Sequence, residues 1–281
     1  MRSELFAETQ PEYRWSVCCP QFDTAKNRHY ESLFTIGAGL LNVRASLPEG
    51  LSDDPQNISF ARAAGNVTLE KFRAAKSKWG AYVPGLMDRH PALNEEMVNI
   101  PFLLGLEVEA DGERLDMERS TITRWQYWLD LRDGCVHRRV RWRTLRGAEL
   151  DLAFHMYVHL PSQQVLWQRV DVQAVRGAAT VRLTPFLDGD VRTNGFDHFA
   201  ACATWSSASG ELGVTATLHN GAAVSACARL LGAAQWQARP GGRRIALTCA
   251  RRLTAGACWS VTKITGVVTS LEADHPRRMA R

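Results

Sequence analysis

The sequence predicts a mainly β protein, a large antiparallel β-sandwich with few short helices. From about residue 98 onward, runs of strand-like sequence follow one another, and dipeptides typical of turns separate them. Helical periodicity is scarce by comparison. A dozen or more strands joined by hairpin-type connections are typical of a sandwich of two packed sheets.

The clearest strand is predicted over residues 149–160. Every second residue from Leu150 to Leu160 is apolar, and the residues between them, including His155 and His159, form a mixed face. Residues 136–142 alternate in the same way, except that Arg138 interrupts the apolar face. Further strands are predicted at 164–174, 178–187, 211–219, 243–250 and 258–268.

Short glycine-containing dipeptides predict the turns between these strands. They are Asp133-Gly134, Arg146-Gly147, Arg176-Gly177, Asp188-Gly189, Asn220-Gly221 and Gly241-Gly242. The best helical pattern covers residues 68–78, with Thr68 as the N-cap. It lies in a polar segment, 51–78, that we interpret as an insertion between two core strands.

Composition indicates a soluble globular protein. The 281 residues are 45% hydrophobic and 22% charged, enough for one large all-β domain or two ordinary ones. No apolar run is long enough to span a membrane, and the N-terminus lacks the apolar core of a signal peptide. We therefore predict a cytoplasmic location and no membrane partner.

The cysteine pattern and the charge pattern argue against a disulfide-rich protein and against a nucleic-acid-binding protein. Seven cysteines, an odd number without a C-x-x-C pair, do not predict a disulfide framework. The net charge is +5, and its densest patches, 138–146 and 239–252, interleave arginines with apolar strand residues. Nucleic-acid binding favours basic residues clustered on one face or in one arm, so no nucleic-acid partner is predicted.

Motifs for a metal, a cofactor or a nucleophile are weak. His155 and His159 are four residues apart, about 13 Å along a strand, which is too far for one metal ion. There is no Gly-x-Ser-x-Gly motif, and Gly37-x-Gly39 lacks the third glycine of a dinucleotide-binding loop. We predict no metal and no cofactor.

Five short motifs follow one another along the chain. They are RHYESLFTIGAGLLNVRAS at 28–46, GAYVPGLMD at 80–88, EMVNIP at 96–101, LDLRDG at 129–134 and LDGDV at 187–191. In order and spacing, from about residue 12 to 270, they resemble the N-terminal domain of glycoside hydrolase family 65, and 28–46 resembles its opening motif. That family contains sugar phosphorylases and hydrolases.

The resemblance implies a β-sandwich similar to the galactose mutarotase-like supersandwich. It also implies that the catalytic glutamate and the phosphate-binding residues lie in a separate (α/α)6 barrel further along. We therefore expect an N-terminal extension at 1–11, the sandwich at 12–270, and a polar tail or severed linker at 271–281. No residue of this chain is predicted to be catalytic.

Some polar and aromatic residues receive structural predictions. Glu31 and Arg44 are expected to form a buried pair that holds two strands together, and Asp130 and Arg132 to organise a turn. The tryptophans of the predicted strands are expected in the core: Trp125, Trp128 and Trp142.

Aromatic and polar side chains in two segments are candidates for sugar contact, because pyranose rings stack on aromatic faces while their hydroxyls need polar partners. The alternative is that these side chains only pack the core or the loops. The candidates are Trp79, Tyr82, Asp88, Asn194, Asp197 and His198.

Three functions remain open at this point. The leading one is a carbohydrate-binding or assembly domain of a family 65 α-glucoside phosphorylase or hydrolase without its barrel, alone or as a homodimer. The second is a subunit whose catalytic barrel is on another chain. The third is an aldose epimerase in which His155 or His159 is the acid and a carboxylate is the base.

Overall fold

The structure is a computed structural model, and it describes residues 14–51 and 80–272. The helix predicted at 68–78 and the candidate Trp79 lie outside these ranges, as do the extension at 1–11 and most of the predicted tail. Across the described residues the protein is mainly β, which confirms the predicted fold class.

Nineteen strands, one α-helix and one short 3₁₀ helix at Thr24–Lys26 make up the described ranges. The helix is α1 (Asn27–Leu33). The strands are β1 (Ser16–Cys19), β2 (Ile36–Gly37), β3 (Asn42–Val43), β4 (Ala81–Tyr82), β5 (Met87–His90), β6 (Asn94–Met97), β7 (Leu106–Ala110), β8 (Glu113–Arg114), β9 (Thr121–Asp130), β10 (Cys135–Arg143), β11 (Glu149–Val158), β12 (Val165–Arg176), β13 (Ala178–Asp188), β14 (Phe199–Ser207), β15 (Glu211–Leu218), β16 (Ala223–Leu231), β17 (Gln237–Gly241), β18 (Arg244–Thr254) and β19 (Cys258–Thr269).

Two antiparallel sheets form the sandwich. The large sheet has nine strands in the order β1-β9-β10-β11-β12-β19-β16-β15-β14, and the smaller has five in the order β17-β18-β13-β7-β8. A three-stranded sheet (β2-β3-β4) and the β5–β6 hairpin complete the described part of the chain. Within the same ranges, no helix has the length and apolar character that crossing a membrane requires.

The core lies between the two sheets because alternate residues of each strand face inward. In β11, Leu150, Leu152 and Phe154 belong to the buried apolar cluster, as predicted. Two long polar side chains of the large sheet also reach across. The Gln168 amide donates to the Leu104 carbonyl at 3.0 Å, and Lys263 Nζ donates to the Gly105 and Phe186 carbonyls, each at 3.0 Å.

Two of the predicted turns are changes of sheet rather than hairpins. β12 belongs to the large sheet and β13 to the small one, so the chain crosses the sandwich at Arg176-Gly177. At Asp188-Gly189 the chain leaves β13 for an irregular segment, and Asp188 bridges to Phe102 instead. The sequence pattern could not separate these cases, because a glycine turn marks the end of a strand and not its next partner.

The prediction that Glu31 and Arg44 hold two strands together was wrong in one respect. Glu31 lies on α1, and Arg44 follows β3, so the pair joins a helix to the end of a strand. The two charged groups are 3.7 Å apart, and Glu31 is fully buried. The Asn27 amide donates to the Glu31 carboxylate at 2.9 Å and helps to satisfy it. Asp130 and Arg132 organise the β9–β10 turn as predicted.

The tryptophans divide between the two faces of the large sheet. Trp142 is fully buried in the core, and Trp125 is partly buried and packs against the core. Trp128 was expected in the core, but it pairs across the strands with His137 on the outer face, where Arg139 covers its ring. Alternation along β9 explains this position, because Tyr127 takes the inward place beside it.

Candidate functional site

One end of the sandwich brings four polar side chains into contact, and we call them the end cluster: Asp88, Glu96, Asn194 and His198. Asp88 and Glu96 face each other across the β5–β6 hairpin. Asn194 and His198 lie on the 189–198 segment between β13 and β14. Three of the six predicted sugar-contact residues are therefore in one cluster, and a carboxylate that was not predicted completes it.

His198 is the centre of the end cluster. Its Nδ1 lies 3.0 Å from Asp88 Oδ2, and its Nε2 lies 2.7 Å from Glu96 Oε1. The His198 side chain is 1% exposed. Each ring nitrogen of His198 is thus paired with a carboxylate oxygen of the hairpin. The ring therefore links the hairpin to the 189–198 segment, and both of its nitrogens are engaged.

The backbone around His198 is fixed by further polar contacts. Asn194 adopts a left-handed conformation (φ 45°) that asparagine tolerates, and its amide donates to Glu96. The Asn99 amide accepts from Ala81 N at 3.1 Å and donates to the Arg192 carbonyl at 3.2 Å. These bonds tie the 189–198 segment to the strands that precede it.

Asp197 is close in sequence to the end cluster but serves a different pair of partners. Its carboxylate accepts two bonds from Arg243 Nη1, at 3.0 and 2.7 Å, and lies 3.2 Å from Arg192 Nη2. Burial lowers the pKa of Arg192, while Asp197 and Asp190 oppose that shift. The structure therefore places Asp197 in an ion-pair network that anchors the segment.

Tyr82 lies on β4, half-buried between the end cluster and the Glu31–Arg44 pair. Burial raises the pKa of Tyr82, the nearby Arg44 lowers it and Glu96 raises it further. The phenol is therefore held in its neutral form at neutral pH. It is a hydrogen-bonding group, and not a base, at the border of the end cluster.

The rim of the end cluster is aromatic and apolar. Phe196 contacts the rings of His90, His198 and His219, with centroid separations of 5.4, 4.9 and 5.8 Å. Leu93, in the β5–β6 turn, and Met97, the last residue of β6, are exposed, by 53% and 41%.

The last described residues reach the same end of the sandwich. A Cβ added at Gly85 would lie 3.5 Å from Leu271 Cδ1, and Leu271 is exposed. The Asn220 amide, in the β15–β16 turn, donates to the Met87 carbonyl at 2.8 Å. Leu271, near the end of the described residues, therefore lies close to the hairpin that carries half of the end cluster.

Other carboxylate neighbours do not form a catalytic pair. Asp53-Asp54 lies outside the described residues, and Glu95 is exposed while Glu96 faces His198. Asp188 is buried, which raises its pKa to about 6, and its carboxylate accepts from Asp190 N at 2.8 Å. That geometry is typical of a turn at the end of a strand.

The two histidines considered for metal or epimerase chemistry are in different places. His155 lies on the outer face of β11, and its Nδ1 is 2.7 Å from His137 Nδ1. His159 was expected on the same strand face, but β11 ends at Val158, and His159 is exposed and contacts Ser162. Within 14–51 and 80–272, no three His, Cys, Asp or Glu side chains are grouped to hold a metal ion.

Comparison with known proteins decides the family. The model of the glycosyl hydrolase family 65 N-terminal domain matches residues 18–281. This chain belongs to that family. The family 65 domain is 24% identical over 189 residues to the kojibiose phosphorylase of Halothermothrix orenii, covering 67% of this chain and 21% of the relative. It is 24% identical over 188 residues to the α,α-trehalose phosphorylase of Thermoanaerobacter brockii, covering 63% of this chain and 22% of the relative.

A solved structure shares the fold. A candidate kojibiose phosphorylase from the human microbiome superposes with a TM-score of 0.77 at 16% identity, covering 95% of this chain and 34% of that one. The family 65 domain thus spans about a fifth of the length of the curated relatives it matches first, and a third of this structure.

Proposed function

We propose that this domain serves a family 65 α-glucoside phosphorylase or hydrolase in carbohydrate metabolism, as its carbohydrate-binding and assembly domain. The reaction itself would be carried by a separate helical barrel, on the same or on another polypeptide. Family membership supports the metabolic class. The sequence relatives named above are phosphorylases of kojibiose and trehalose, and each is several times longer than the matched region.

The observation that carries the assembly role is the end cluster, with the exposed apolar side chains of its hairpin. The His198 ion pairs hold the β5–β6 hairpin rigidly against the 189–198 segment, so Leu93 and Met97 are presented on a fixed surface. A rigid surface with exposed apolar side chains loses little conformational entropy when a second domain packs on it.

The same geometry argues against chemistry at the end cluster. General acid–base catalysis needs a group that can exchange a proton with a substrate. His198 has both nitrogens bonded to carboxylates, and the Asp197 carboxylate is bonded to Arg243. The side chains that remain open to a sugar are Asn194 and the Phe196 edge, which suit binding and positioning.

An aldose epimerase is not favoured. That reaction needs a histidine acid and a carboxylate base on opposite sides of one sugar ring. Asp171 Oδ2 is 3.9 Å from His155 Nε2, but it accepts a hydrogen bond from Arg169 Nε at 3.0 Å, and Asp171 Oδ1 lies 2.7 Å from Arg169 Nη2. Among the described residues, no glutamate contacts either His155 or His159.

The assembly role can be tested by association. The DNA that follows codon 281, and the neighbouring reading frames, should encode a family 65 barrel. Co-expressed with this chain, that barrel should co-purify with it, and a Leu93→Glu/Met97→Glu variant should lose the association. Leu145→Glu is the matched control, because Leu145 is exposed in the β10–β11 turn at the other end of the large sheet. No encoded barrel, or association that ignores the hairpin substitutions, would contradict the role.

A further inference from the structure

The outer face of the large sheet carries a second group of aromatic and polar side chains, separate from the end cluster. They line an open groove of about 420 Å³, within the range of small-molecule sites. The groove-lining residues are Asp133, Cys135, His137, His155, Tyr157 and Trp167. We propose that this groove binds a pyranose ring of a neutral carbohydrate.

A pair of stacked aromatic rings, which we call the platform, lines the groove. Tyr157 and Trp167 are directly opposite each other on β11 and β12, and their rings stack with centroids 5.1 Å apart and planes 28° apart, so each ring covers one face of the other. Both side chains are half-buried, so their rings remain partly open to solvent. The axial C–H groups of a pyranose can pack on the outward ring face of such a stack, and hydroxyls at the edge of the sugar ring stay free for polar contacts.

Polar groups lie around this platform. No hydrogen bond to the Tyr157 hydroxyl or to the Trp167 indole N–H is made by the described residues. The Asp133 carboxylate accepts from Cys135 N at 2.8 Å and is otherwise exposed at the rim. Two donors and an acceptor around a flat platform match the hydroxyls of a sugar.

The histidine pair adds a further donor and acceptor. His137 Nδ1 and His155 Nδ1 are 2.7 Å apart, so one ring donates a proton to the other. Asp171 Oδ2 lies 3.9 Å from His155 Nε2, which favours a proton on that nitrogen. His137 is then the donor to His155, and its own Nε2 is an acceptor. Trp128 stacks on His137 at 4.8 Å and fixes the plane of the ring.

The charges of the groove favour a neutral ligand. Burial lowers the pKa of both histidines, that of His155 to about 4, so neither ring is cationic at neutral pH. The Asp133 carboxylate at the rim would repel a phosphate or a carboxylate. A sugar without a charged group is the ligand class that fits both the platform and this charge.

This site rests on the carbohydrate-binding part of the proposed function, but none of its residues belongs to the end cluster, so a failure of sugar binding here would leave the assembly role standing. It can be tested on the intact chain by saturation-transfer-difference NMR with glucose, maltose, kojibiose and trehalose, at concentrations into the tens of millimolar. We expect saturation of the ring C–H protons in the wild type. Trp167→Ala should reduce that signal at least tenfold, whereas Tyr157→Phe should keep most of it because the platform is preserved.

Two further variants separate binding in the groove from binding at another surface. Trp15→Ala is the control, because it removes an exposed tryptophan elsewhere and should leave binding unchanged. Asn194→Ala tests the end cluster, and a loss of binding in this variant but not in Trp167→Ala would overturn the proposal. If Trp167→Ala fails to fold, the wild-type protein provides a second measurement. The indole N–H resonance of Trp167, identified by its loss in Trp167→Phe, should shift when sugar is added. The proposal would be overturned if none of these sugars showed saturation, or if Trp167→Ala left the saturation unchanged. It would also be overturned if the groove were a dimer interface, so that Trp167→Ala dissociated a wild-type dimer that binds no sugar.

Discussion

Arg138 and Glu49 form an ion pair inside the sandwich, with Arg138 Nη1 and Nη2 each 2.6 Å from a carboxylate oxygen of Glu49. Both side chains are almost fully buried, at 3% and 0% exposure. Arg138 also lies over the Phe154 ring at 4.1 Å. The arginine that interrupts the apolar pattern of β10 is therefore a core residue whose charge is matched from a loop 89 residues earlier in the chain.

Removing one partner of this pair should cost more stability than removing both. Glu49→Gln leaves the Arg138 charge buried and unpaired, so we expect a loss of about 3–5 kcal/mol in the free energy of unfolding. A Glu49→Leu/Arg138→Met double variant should lose less than either single variant. Urea denaturation measures all of them. Arg143→Met removes an exposed pair with Glu149 and should change stability by less than about 1 kcal/mol. Equal losses for both pairs would contradict this account.

The His198 links should control the local stability of the β5–β6 hairpin. His198→Gln leaves the buried Asp88 carboxylate without its imidazole partner, at a cost of about 3 kcal/mol. We expect faster amide hydrogen exchange in residues 87–97 and little change in the large sheet. His219→Gln is the control, since His219 is exposed and contacts a backbone carbonyl. Unchanged exchange in the hairpin would show that His198 does not hold it.

Features of this fold that depend on neighbouring residues can be predicted from the sequence, whereas contacts between residues far apart in the chain cannot. Alternation along β11 and β12 predicts both strands and their buried faces, because burial of one face is a local pattern. α1 was missed, because its seven residues, Asn27–Leu33, are too few for a clear helical period and lie within a motif assigned to the sandwich. Partners distant in sequence, such as Glu49 for Arg138, leave no local signal.

The candidate site shows the same division. Asp88, Asn194 and His198 were predicted from residue type, but Glu96 was not, and it is Glu96 that joins the hairpin to Asn194 and His198. The signal that could have identified it is its position at the start of the EMVNIP motif, next to the end of a strand. Asp197 was predicted to contact sugar, whereas its carboxylate is bonded to Arg243, a partner 46 residues away.

Lys263 should make the stability of the protein rise with pH above neutrality. Burial lowers its pKa well below the ordinary value of 10.5, so the unfolded chain binds more protons than the folded one. The free energy of unfolding should therefore increase up to pH 10.5, by up to about 1.4 kcal/mol per pH unit. Lys263→Met should flatten this rise between neutral pH and about pH 9, measured by urea denaturation. Lys26→Met, at an exposed position, should leave this rise unchanged. A rise that persists in Lys263→Met would exclude Lys263 as its source.

His155 should contribute to acid sensitivity. Its pKa falls from 6.5 to about 4, through burial and then through the neighbouring His137. Stability is fully present above pH 6.5 and is lost as the pH falls from 6.5 toward 4, because the unfolded state takes up the proton first. His155→Asn should reduce that loss in thermal unfolding measured across this range. His159→Asn is the exposed control. Equal acid sensitivity in wild type and His155→Asn would contradict the assignment.

Our central proposal is that these 281 residues bind and assemble, and that a separate barrel carries the reaction. The most direct measurement is the release of glucose and glucose 1-phosphate by the purified chain from kojibiose, trehalose and maltose, with and without inorganic phosphate. The account predicts no release above the protein-free background under either condition. Turnover at an enzyme-like rate of about 1 per second or faster would contradict it, since it would require a complete acid and phosphate site within this chain.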